Sequence, residues 1–133
     1  MNFETINKSI RTHINHSTLG SQKIAFPNIE FTIPDPPAPF IRLSIKHGDT
    51  ALLGCGLPKY QRSIGVVIMQ VFVPEGQGDK LALQIVDEIC TVLDNVDISI
   101  VRFQSTKVKE VGVAGGFYQL NTLTPFTSDK VTQ

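Results

Sequence analysis

The chain has 133 residues, 41% hydrophobic and 18% charged, with twelve basic and twelve acidic residues in formal balance. That length suits one domain with one core, and no apolar run reaches the ~20 residues a bilayer span needs. Zero net charge speaks against a dedicated nucleic-acid binder, whose affinity comes largely from phosphate neutralisation. Met1-Asn2-Phe3-Glu4 lacks the basic-then-apolar pattern of a secretory signal. Cytoplasmic synthesis is therefore expected, with Cys55 and Cys90 as free thiols in that reducing compartment.

Phe3, Ile6, Ile10 and Ile14 recur at spacings of three and four, which predicts a helix from Asn2 to about His16. Ser17 to Gly20 ends it. Gln22 to Phe31 reads as an extended segment at a sheet edge, because Pro27 removes a ladder donor. Ile33-Pro34-Asp35-Pro36-Pro37-Ala38-Pro39 is a stiff connection. Residues 1–38 are thus an N-terminal helix and proline-rich connection within a single domain spanning 1–133. Phe40 to His47 is a half-buried strand, with Ile41, Leu43 and Ile45 facing in and Arg42, Ser44 and Lys46 facing out. Gly48-Asp49-Thr50 predicts a turn into a loop that lasts to about Lys59. Its apolar stretch, Ala51 to Leu57, is set among glycines and a proline. Such loops are commoner where a partner covers them. The strands on either side should pair antiparallel.

The stretch from Tyr60 to Asn95 organises the rest. Arg62 to Val73 is a strand rich in β-branched residues and apolar on both faces. Ile64, Val66, Ile68 and Phe72 point one way; Val67, Met69, Val71 and Val73 point the other. A strand with one wet face would alternate apolar and polar, so this one is expected at the centre of its sheet with cover on both sides. Pro74-Glu75-Gly76-Gln77-Gly78 breaks it. Asp79 then suits an N-cap, and a helix follows to Asp94. Ala82, Ile85, Val86, Ile89 and Leu93 form its apolar stripe. The stripe can cover only one face of the strand. Between Glu75 and Asp97 six acidic residues stand against Lys80 alone, which marks a solvated acidic face or a surface for a basic partner.

Asp97 to Phe103 reads as a strand with Ile98, Ile100 and Arg102 on one side. Thr106 to Val113 is a weaker one. Ala114-Gly115-Gly116 is a turn signal, and Phe117 to Phe126 is the returning strand. Its two faces carry Phe117, Gln119 and Asn121, and Tyr118, Leu120 and Thr122. Pro125 is expected to end the pairing, leaving 127–133 as a flexible tail. The fold class is α+β: a mostly antiparallel sheet with the N-terminal helix and the central amphipathic helix packed on it.

The sequence assigns no catalytic, cofactor-binding or metal-binding residue. His13 and His16 share a helix face without a third ligand, and His47 is expected to cap a turn at a strand end. Gly76-Gln77-Gly78 resembles part of a phosphate loop, but it lacks the Lys-Ser/Thr ending and places Asp79 where an anion would dock. Gly54-Cys55-Gly56 has no paired histidine to activate the thiol.

Tyr60-Gln61-Arg62 followed by Gln70-Val71-Phe72-Val73-Pro74-Glu75-Gly76-Gln77-Gly78 resembles the signature of phage tail terminator-like proteins. Arg42 to Ile45, Gly48 to Thr50, Val108 to Val111, Gly115 to Asn121 and Pro125-Phe126 extend the resemblance over Phe40 to Asp129. Before that, only the presence of a helix is shared. The resemblance implies a structural virion protein without cofactor, made in the host bacterial cytoplasm. Such proteins cap the head-proximal end of the tail tube as rings, usually hexameric, stop its polymerisation and offer a surface to the head connector. The implied partners are like copies, the tail tube protein and the connector or neck protein. DNA passes through without sequence-specific binding, and no membrane is involved. Another head–tail joining protein, or a small-ligand-binding α+β domain, are the alternatives; the second would need a polar pocket with perturbed carboxylates. A ring needs one patch to meet a different patch on the next copy. The residues suggest Leu52, Leu53 and Leu57 with Tyr60 and Arg62 for one, and the 113–120 hairpin with Phe117 and Tyr118 for the other, since Tyr and Arg favour such sites.

Overall fold

A computed structural model describes residues 3–34, 37–53, 59–98 and 100–132, at 53, 59, 60, 131 and 132 for the backbone alone. Strand β3 (Lys59–Pro74) is central: it lies between β2 (Phe40–Leu53) and β7 (Phe117–Thr132), antiparallel to both. The described strands form one seven-stranded sheet. Beyond β2 lies β1 (Ile24–Ala25), in the only parallel pairing described. On the far edge of β7 lie β5 (Val101–Phe103), then β4 (Asp97–Ile98), with β6 (Lys107–Ala114) on the other half of that edge. With helices α1 (Phe3–Asn15) and α2 (Lys80–Leu93) this is the expected mostly antiparallel α+β architecture.

Both helices cover one sheet face. Ile6, Ile10 and Ile14 of α1 are buried, as their spacing predicts. The α2 stripe of Ala82, Ile85, Val86, Ile89 and Leu93 is buried too, joined by Val92. Beneath it lie Leu43, Val67, Met69, Val71, Leu120 and Phe126. A large apolar side chain fully withdrawn from water contributes roughly 1.5–3 kcal/mol, so this layer dominates the stability. Asp79 occupies the N-cap position of α2 but makes no side-chain cap bond, contrary to expectation. At the other end Asp94 accepts from the Thr106 amide at 2.7 Å, which ties the helix terminus to the start of β6.

Three sequence boundaries move. β2 does not stop at Gly48: an irregularity between His47 and Thr50 absorbs the extra residues, and pairing resumes to Leu53↔Tyr60. The expected turn is a bulge, and Ala51 to Leu53 are strand rather than loop. Cys55 and Leu57 lie outside the described residues. Second, 97–103 is not one strand. Asp97↔Arg102 and Ile98↔Val101 pair as a small hairpin, and the buried side chains are Val101 and Phe103. Third, β7 runs through Pro125 to Thr132, so 127–132 is paired rather than loose. On its far edge β7 changes partner, from β6 up to Leu123 to β5 at Phe126. Pro125 falls in that gap. Its carbonyl accepts from the Gln104 amide at 2.8 Å on this same edge. An N–H of residue 125 would point the same way, so its absence removes no bond to β3.

The second face of β3 is not covered by a helix among the described residues. Ile64 is 46% exposed, and Val66 and Ile68 are half-buried. At one end of this face Phe40 stacks on Phe72 with ring centroids 4.6 Å apart. The expected double cover is thus met on one side within a single copy.

Candidate assembly interfaces

The described residues among those expected to form two contact patches sit toward opposite ends of β3. Leu52 is 55% exposed near the tip of the β2–β3 hairpin, and Leu53 pairs with Tyr60 beside it. At the other end Pro74 pairs with Phe117, next to the β6–β7 turn. Gly115 and Gly116 make that turn with φ of 60° and 84°. Positive values at both central residues fit the two-residue hairpin connection, which only residues without a Cβ adopt freely. At about 3.3 Å per residue the two ends are roughly 45 Å apart. One copy therefore holds the patches apart.

Arg62 faces Asp129 across β3 and β7. Its Nε donates to Oδ1 at 2.8 Å and a terminal nitrogen to Oδ2 at 3.0 Å, a two-bond fork. The hydrogen bond from Arg62 holds the Asp129 carboxyl below its ordinary value and raises the guanidinium in turn. Phe117 is only 9% exposed. Its ring meets Phe40 edge-on at 5.3 Å and Phe72 at 6.2 Å, so it is engaged within its own fold. Tyr118 is half-buried and lines a concavity of about 280 Å³ with Gly76, Gly78, Asp79 and Val113. Burial pushes its hydroxyl pKa up, and the Glu110 and Asp79 carboxylates add to this. Val108 and Val111, apolar positions of the weak strand expected over Thr106 to Val113, are exposed on β6.

The polar groups of the core are structural. Thr122 Oγ1 donates to the Met69 carbonyl at 3.2 Å, Thr124 and Thr106 hydroxyls meet at 2.8 Å, and Ser128 Oγ donates to the Ile100 carbonyl at 2.6 Å. His13 Nε2 donates to the Val92 carbonyl at 2.9 Å, which links α1 to α2. No group of three or more metal-ligating side chains forms among the described residues. His47 lies within β2 instead of capping a turn. Its Nε2 donates to Asn7 Oδ1 at 2.8 Å, and burial lowers its pKa. Burial, then Asp94 and Asp87, push the Cys90 thiol up, the reverse of what a thiolate nucleophile needs.

The register also assembles a surface that no local pattern reveals. Ser44, Ile68, Leu123 and Lys107 form one row across β2, β3, β7 and β6, and Arg42, Gln70, Asn121 and Lys109 form the next. Between its basic margins the helix-free face is apolar at Val66, Ile68 and Leu123 and polar at Gln70 and Asn121. Arg62–Asp129 is the one ion pair among the described residues, so these margin cations are not paired by carboxylates.

The sequence profile of the phage tail terminator protein family matches residues 5–100. It includes the N-terminal third, where the motifs quoted above share only a helix, and stops before the β6–β7 hairpin. Nine solved chains match. One of them superposes with a TM-score of 0.71 at 15% identity, covering 96% of each chain; at that identity the likeness concerns the fold. No curated protein sequence matches. No helix among the described residues is long and apolar enough to cross a membrane. A profile that spans most of the chain, on a fold with exposed ends and structural polar groups, identifies this protein as a member of the phage tail terminator protein family, a structural component of the phage particle that works in contact with other tail or head proteins.

Proposed function

We propose that the protein closes the head-proximal end of the tail tube as a hexameric ring, stops tube polymerisation and presents the surface to which the head connector or neck protein joins. What supports this reading is that residues suited to two unlike patches lie at the two ends of β3. Leu52 and Arg62 lie toward the hairpin end, where Leu53 pairs with Tyr60; Tyr118 lies at the turn end, beside Phe117, which packs in its own fold. A head-to-tail contact of one end with the other satisfies both patches in every copy and closes on itself when the rotation per step divides the circle. The zero net charge supports a channel that passes DNA without reading it. The protein acts in the neck of the virion, with no cofactor and no chemistry of its own.

The test is a phage that lacks the protein. Its tails should be overlong and unjoined to heads, and purified protein added during assembly should restore normal length and joining. Tails of normal length that stay headless would assign the protein to joining rather than termination. Normal, joined tails would refute both roles.

A further inference from the structure

Zero net charge hides two sides of opposite character. On the helix-free face, Lys46 and Arg42 on β2 and Lys107 and Lys109 on β6 border a middle of Val66, Ile68 and Leu123, with Gln70 and Asn121 in the row of Arg42 and Lys109. The margins are three strand spacings apart, roughly 14 Å. An α-helix with its side chains is about 10–12 Å wide, so one helix fits between them. On the opposite side of the fold, α2 turns outward a flank with the matching chemistry. Leu83 and Asp87 stand one helical turn apart, and Asp94 follows as the C-cap, with Oδ1 held by the Thr106 amide; Leu83 is 43% exposed and both aspartates are exposed.

A nucleic-acid strand would meet the basic margins but would gain little from the apolar middle. A helix flank that is apolar and acidic answers both. The surfaces also run on from the ring patches. Arg62 precedes Ile64 on the same face of β3, and the Tyr118 concavity includes Asp79, the residue that leads into α2. The reasoning rests on the ring reading given above. We propose that the helix-free sheet face of one copy seats the Leu83–Asp87–Asp94 flank of α2 from the next copy. β3 then has a helix on each face, one of its own and one from its neighbour, which accounts for its two apolar faces.

The test is a charge swap at exposed positions. One variant carries Lys46→Glu with Lys109→Glu; the other carries Asp87→Lys with Thr91→Lys. Both are first shown to melt cooperatively. Ring formation is then counted by electron microscopy, at high protein concentration or on tail tubes, wherever the unaltered protein forms rings. Each variant alone should form at least tenfold fewer rings, because like charges now meet at every contact. An equal mixture should restore them, since each variant then meets its complement in alternating order. Rings formed normally by either variant alone, or a mixture that restores nothing, overturn the proposal and leave the ring reading standing. Duplex DNA binding lost in the first variant only, with rings intact, overturns it in favour of a nucleic-acid surface. An unaltered protein that never forms rings removes the ring reading and this contact with it.

Discussion

Gly65 of β3 and Phe126 of β7 are direct partners in the central strand pair, and the Phe126 ring occupies the space that a side chain at residue 65 would need. A Cβ built at Gly65 would collide with that ring and stand 2.6 Å from the Lys46 carbonyl oxygen. Gly65→Ala is therefore expected to destabilise by about 1–3 kcal/mol through overpacking. The check is a lower urea midpoint at unchanged slope. At Gly48 a Cβ would meet chiefly the Ile64 side chain, at 3.1 Å, and Ile64 is free to move on the open face. Gly48→Ala should cost clearly less. Equal midpoints for the two variants would show that the β3–β7 register is not as described.

The α2 stripe gives a second contrast. Ile89 is fully buried, and Ile89→Ala should cost about 2–5 kcal/mol from lost transfer energy plus the cavity left behind. Its neighbour Glu88 is half-buried, and its Oε2 has no hydrogen-bond partner among the described residues. Removing an unpaired buried oxygen relieves desolvation, so Glu88→Ala should change stability by no more than ~0.5 kcal/mol. Paired denaturant melts decide the matter, and a large loss at Glu88 would mean that the helix is rotated.

The Arg62 fork predicts a pH signature. The Asp129 carboxyl titrates below its ordinary value because the Arg62 hydrogen bond favours the charged form. A depressed folded-state pKa contributes stability that is full above the ordinary aspartate value and is lost as pH falls through the lowered one. Both side chains are 40% exposed, so screening keeps the stability effect small. The titration itself is the better readout. Carbon-detected NMR should place the Asp129 midpoint low in the unaltered protein and return it upward in Arg62→Ala. An unmoved midpoint would remove the fork as the cause.

A thiol prediction follows from burial and nearby carboxylates. In a Cys55→Ser variant, Cys90 should react slowly with a disulfide reagent near neutral pH and quickly once the chain is unfolded, since its pKa is raised. The same variant should assemble on tails like the unaltered protein. Fast labelling in the folded state would contradict the packing of α2. Loss of assembly in a folded variant would show that Cys55 has a role.

Elements set by local pattern were legible in the sequence. The helices follow from Ile6, Ile10 and Ile14 and from the stripe ending at Leu93, because a helix repeats within a few residues. β3 announced its central place through apolar residues on both faces. The misplaced boundaries are those that depend on distant partners. Gly48 reads as a turn until β3 offers a ladder on which a bulge can form. Pro125 reads as a stop until the gap between β5 and β6 makes its missing donor harmless. The basic margins were equally hidden, because Lys46 and Lys109 share a face only through the register of four strands. Of the residues proposed for the interface, Tyr60 and Tyr118 lie toward opposite ends of β3. Phe117 was legible as a large apolar residue, but its packing on Phe40 and Phe72 was not.

The central claim is a ring built by head-to-tail contact, and electron microscopy of the purified protein mixed with tail tubes tests it most directly. Closed rings should sit on one end of each tube. At each contact the hairpin end of one copy, near Tyr60 and Arg62, should lie against the turn end of the next, near Tyr118. A protein that leaves tube ends bare, or rings in which both ends of β3 point away from their neighbours, would contradict the account.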